Sequence, residues 1–98
     1  MRKMTDEQRD MKSALEGFRI LGSKIIDGVP HGFRCTIEMD AMTTYITFDE
    51  PMLDFDLATG VMIGMCCVEI NKVKETKSLV QYEIVTNART RYLFTRFF

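Results

Sequence analysis

The side chains able to do chemistry are few and scattered. His31 is the only histidine, flanked by Pro30 and Gly32, and Cys35 is the nearest nucleophile to it. A thiol–imidazole pair needs the two groups within hydrogen-bond reach, and nothing in the spacing supplies that. Ser13, Ser23 and Ser78 have no nucleophile-elbow context. Gly22 and Gly28 form no phosphate-binding loop. Cys66 and Cys67 are adjacent, so on a strand they point to opposite faces, which suits neither a disulfide bridge nor a zinc clamp. No catalytic residue, metal site or cofactor is assigned, and an enzyme is the class with the least support.

Two clusters could carry binding chemistry. Near the C-terminus Arg89, Arg91 and Arg96 interleave with Tyr92, Phe94, Phe97 and Phe98, while Lys72, Lys74 and Lys77 precede them. Cations along a phosphate backbone and aromatic faces under bases are how single-stranded nucleic acid is held. Strands are ordinarily rich in aromatics, however, and Tyr92 and Phe94 at a spacing of two fit a core equally well. The second cluster is acidic: Asp49, Glu50, Asp54 and Asp56 surround Pro51. Its spacing matches no calcium loop. It reads as a solvated loop or as a docking patch for a basic protein partner.

The charge is uneven. Residues 33–70 carry one basic side chain, Arg34, against seven acids, a net −6; residues 71–98 come to +4, and the whole chain to −1. A nearly neutral chain is not a general polyanion binder. The two blocks form opposite surfaces, or pair and cancel. Three cysteines and a start that lacks an apolar leader segment read as a reduced, cytoplasmic protein. No apolar run approaches a membrane span. Ninety-eight residues predict a single domain, 1–98, with an apolar fraction of 46% sufficient for one core.

The elements that must hold these groups begin with a helix. Thr5 and Gln8 have capping-box spacing, and Asp6 and Glu7 suit a first turn. At 100° per residue Met11, Ala14, Leu15, Phe18, Leu21, Ile25 and Ile26 share an arc, with Ile20 the exception. The preferred reading therefore runs the helix from Thr5 to Asp27, stopped by Gly28 and Pro30. The alternative ends it at Gly17 and makes 18–26 a strand. Residues 28–32 then read as a loop. After them the period becomes two. Strands are expected over 33–40, 43–48, 52–57 (a short edge), 61–73, 78–86 and 88–98, with turns at 40–42, 58–60, 74–77 and near Asn87. Both faces of 61–73 look apolar at first, so it reads as a central strand covered on both sides or one at a subunit contact, with Gly64 a bulge or close-packing point. Met39, Met52, Met62 and Met65 would fill core gaps.

The expected fold is α+β, one amphipathic helix on a curved antiparallel meander of five or six strands. Phe97 and Phe98 at the end need a groove on this chain or a partner. An apolar last strand would be a poor free edge, which suggests a homodimer. The functional expectation is a small non-catalytic protein-binding module of inhibitor or adaptor type that self-associates. The alternatives are a single-stranded nucleic-acid binder using the final hairpin, and a small enzyme or ligand-binding protein with a pocket between helix and sheet.

Overall fold

Thr5 starts the helix as its residue type requires. Its hydroxyl accepts from the Gln8 N–H at 3.1 Å, and the Gln8 side chain accepts from the Thr5 N–H at 2.7 Å. In the computed structural model, which describes residues 3–49 and 62–98, helix α1 is Asp6–Leu15. Gly17, at φ +82°, ends it in a conformation that side chains with a Cβ avoid. The long helix through Asp27 is therefore not formed. The chain leaves at Gly17, and the shorter alternative holds.

Beyond the helix the chain forms a closed antiparallel barrel in meander order: β1 Ile20–Ile26, β2 Val29–Met39, β3 Thr43–Phe48, β4 Met62–Glu75, β5 Leu79–Thr86 and β6 Arg91–Phe97. Asp27 and Gly28 both have positive φ and join β1 to β2 in a two-residue hairpin closed by Ile26 and Val29. Residues 28–32 are thus turn and strand rather than loop. Pro30 is tolerated because β2 pairs with β3 only from Cys35 onward, leaving its missing N–H on an unpaired flank. The strand expected over 52–57 and the turn at 58–60 lie outside the described residues.

β6 pairs with β1 on one side and β5 on the other, so the last strand is not a free edge. That removes edge-pairing through β6 as a route to a dimer. Inside the barrel, Phe33, Cys35, Ile37 and Met39 of β2 meet Ile46 and Phe48 of β3, Val80, Tyr82 and Ile84 of β5, and Tyr92 and Phe94 of β6. β4 is less covered than its sequence suggests. Only Met65 is buried, while Met62, Val68 and Val73 are exposed. Bulges at 67/69 and 72/74 switch which residues face inward, so both faces look apolar in sequence although only one is covered. Gly64 is not a bulge but a close-packing point, lying beneath the Tyr45 ring.

Helix α1 lies across one mouth of the barrel and inserts Met11 and Leu15, both fully buried. It also completes a ladder. Beyond Cys35, no strand among the described residues lies beside the flank of β2 that faces β1. There the Gly17 N–H donates to the Ile37 carbonyl, Lys12 Nζ donates to the Met39 carbonyl at 2.7 Å, and Glu16 Oε2 accepts from the Met39 N–H at 2.8 Å. The turn at 40–42 forms as expected, with Asp40 Oδ1 accepting from the N–H groups of Met42 and Thr43.

A carboxylate at a helix C-terminus opposes the helix dipole. The Lys12 ammonium and the Met39 N–H more than offset this and hold the Glu16 carboxyl below its ordinary value of 4.5. A depressed carboxylate stabilises the fold above its unfolded pKa and stops doing so as pH falls through its folded pKa. Glu16→Gln is therefore expected to lower stability by about 1 kcal/mol at pH 7. The gap to wild type should close as pH falls below the ordinary carboxylate range, measured by urea denaturation at several pH values.

Candidate protein-docking surface

The surface that stands out is built where β6 meets the end of α1. On β6, Tyr92 and Phe94 face inward, and Arg96 follows on the same side. Arg96 passes the core and reaches the helix end, where NH1 donates to the Ala14 carbonyl at 3.0 Å. Its guanidinium then lies 3.5 Å from the centre of the Phe18 ring and 4.7 Å from that of Phe98. Cation–π attraction to both rings fixes the three side chains together. Gly17 positions Phe18 by turning the chain out of the helix, and Phe18 N–H bonds the Leu15 carbonyl. Phe98 is tied by its N–H to the Ser78 carbonyl, on the turn between β4 and β5.

Phe97 points the opposite way, onto the outer wall beside its pair Leu79. The end of β6 is thus a ridge with aromatic side chains to either side. Phe18 is 42% exposed, Phe97 62% and Phe98 66%. The two terminal phenylalanines are held in place by the chain without being buried by it. The helical arc placed Phe18 among the buried residues; the sign of its different role is its position directly after Gly17.

The basic–aromatic set expected for nucleic acid is not gathered on one face. Lys72, Lys74 and Lys77 belong to β4 and the β4–β5 turn, at the helix end of the barrel. Arg89 and Arg91 lie at the other end of β5, roughly 15 Å away at strand spacing. Tyr92 is 9% exposed, lies parallel to the Phe94 ring at 6.1 Å, and burial raises its phenol pKa. It is a core residue and not a platform for a base. Lys72 is paired with Glu75 at 2.6 Å, Arg91 is 4.0 Å from Glu83, and Arg96 is committed to Ala14 and the two rings.

Of the acidic cluster, Asp49 pairs with Arg19 at 3.2 Å. Glu50, Asp54 and Asp56 lie outside the described residues. His31 sits in β2 opposite Lys24, not in a loop. His31 and Cys35 are four residues apart on one strand, roughly 13 Å, too far for proton exchange. Burial raises the Cys35 thiol to about 12, far from a reactive thiolate. The Cys67 thiol donates to the Thr44 hydroxyl at 3.2 Å, and burial raises it too. Among the described residues no cluster of His, Cys, Asp and Glu could hold a metal ion, and no helix is long and apolar enough to cross a membrane. Compared with protein-family models, curated proteins and solved structures, the chain matches none of them.

Proposed function

We propose that this chain is a non-catalytic protein-binding module that self-associates through the aromatic ridge at the end of β6. The observation that carries the reading is the exposed Phe18–Arg96–Phe98 stack with Phe97 beside it. Aromatic residues and arginine are enriched where proteins meet, because rigid rings give contact area at little entropic cost. Arg96 is fixed by Ala14 and the rings before any partner arrives, so little further ordering is needed on binding. The nucleic-acid alternative draws less support, because Tyr92 and Phe94 of its aromatic set are buried and Arg89 and Arg91 lie at the opposite end of the barrel from Lys72, Lys74 and Lys77.

The test is sedimentation velocity on the wild type and on Phe97→Ser/Phe98→Ser over a wide concentration range. The wild type is expected to show a reversible dimer, and the variant a monomer with nearly the same melting temperature, since both side chains are exposed. A wild type that stays monomeric throughout would remove self-association from the reading.

A further inference from the structure

The barrel has a second uncovered overhang, and nothing described seals it. β4 pairs with β3 only over Met62–Cys66, while its pairing with β5 continues to Glu75. Among the described residues, no strand lies beside one flank of β4 from Cys67 onward. The comparable overhang of β2 is closed by Gly17, Glu16 and Lys12. Along β4 there is instead an open groove of about 570 Å³, walled on the far side by Lys3, Thr5, Glu7 and Gln8.

The backbone direction on this flank is set by the bonds that bracket the hairpin. Asn87 N–H donates to the Cys66 carbonyl, and Thr76 N–H donates to the Leu79 carbonyl. Counting through the register and its two bulges, the N–H and C=O groups of Ile70 and Lys72 point away from β5, into the groove. Among the described residues no backbone group pairs with them.

We propose that this overhang is a strand-addition site for an extended, uncharged peptide segment of about six residues. The segment runs antiparallel to β4 and continues the line of β3. Its occupant is set by two features. The charges on the groove walls nearly cancel, Lys3 standing against Glu7 and Glu69 while Lys72 is held by Glu75, so a neutral segment held by its main chain fits best. The N-terminal turn of α1 forms the far wall, so a single strand fits where a second sheet would collide with it. The two bulges and Lys72 and Lys74 likewise keep a neighbouring sheet from pairing indiscriminately. This site is separate from the aromatic ridge and does not depend on it.

The probe is fluorescein-labelled acetyl-Thr-Val-Gln-Val-Thr-Val-amide, titrated with the full chain by anisotropy, beside the same peptide N-methylated at alternate residues. Saturable binding of the first is expected, and at least roughly tenfold weaker binding of the second, the equivalent of about 1.4 kcal/mol. Lys72→Pro removes a donor that faces the groove and spares the β5 ladder, so it should weaken the probe by a similar factor with little change in melting temperature. Phe97→Ser/Phe98→Ser should bind the probe as the wild type does. If Lys72→Pro does not fold, the N-methylated peptide decides the matter. Equal binding of both peptides, or no saturation up to roughly 1 mM, overturns the proposal. So does a dimer lost in folded Lys72→Pro but kept in the ridge variant, which would assign the edge to a second copy of the chain.

Discussion

Gly22→Ala is expected to lower the melting temperature by roughly 12–24 °C, the equivalent of about 3 kcal/mol in a domain of this size. Gly22 faces inward on β1 at the seam where the barrel closes, paired with Phe33 on one side and Phe94 on the other. A Cβ at this position would lie 2.7 Å from Phe33 Cζ and closer still to Cε2. The ring cannot swing aside freely. Its centre is 4.9 Å from that of Phe48 and 6.5 Å from that of Tyr92. The strain should therefore be specific to the pair. In Gly22→Ala/Phe33→Leu the smaller side chain makes room, and the double variant should be more stable than the sum of the two single losses. Additive losses in thermal melts would mean that Gly22 matters for its backbone and not for the space it leaves.

Phe94→Ala is expected to cost about 4 kcal/mol, the middle of the range for removing a large buried ring. Phe94 is fully buried, stacks on Tyr92 and occupies the other side of the same seam. Deleting it leaves a cavity between β1 and β6, whose pairing is what makes the sheet a closed barrel. The loss should appear in urea denaturation as a lower midpoint. Hydrogen exchange should show β1 and β6 losing protection before β2 and β3. Uniform loss of protection across all strands would show that the seam opens only with the whole molecule.

Gly22 also explains why the first strand is hard to read from sequence. An alternating strand should show an apolar residue at every second position. In β1 the inward sequence begins Ile20, Gly22, and the glycine leaves its space to neighbouring rings instead of filling it. The period of two is thus erased where it should be clearest. Exposed Phe18 and Leu21 then supply apolar residues at helical spacing. Ile20, the one misfit on the helical arc, is the residue the barrel buries. Asp27-Gly28 is a hairpin signal as much as a helix stop, and the helical reading of 18–26 conceals it.

Other parts are legible because local chemistry and tertiary packing agree. The capping box, the alternation of β2 and β3, the Asp40 turn and the final hairpin all follow from residue type and spacing. β4 is legible as a strand but not in its faces, since bulges shift the phase without leaving a mark in the composition. The candidate surface is half legible. Phe97 and Phe98 stand out at the end of the sequence, but nothing local shows that Arg96 would bridge Phe98 to Phe18, which lies 78 positions before the arginine. The division of the basic residues between two ends of the barrel likewise depends on where strands turn.

The seam between β1 and β6 has a consequence for how the protein is made. Leu21 pairs with Thr95, so β1, synthesised some seventy residues before β6, waits for it before its outer flank is satisfied. Hairpins between neighbouring strands can form early, because their loops are short. Closure of the ring requires the most distant contact in the sheet and so the largest loss of chain freedom, which places it late and makes it slow. Until then β1 and β5 each present a bare flank, and the nascent sheet is open to pairing with other chains. Exposure to aggregation is thus set by the interval between synthesis of β1 and arrival of β6, and slowing translation of the last third of the chain lengthens it.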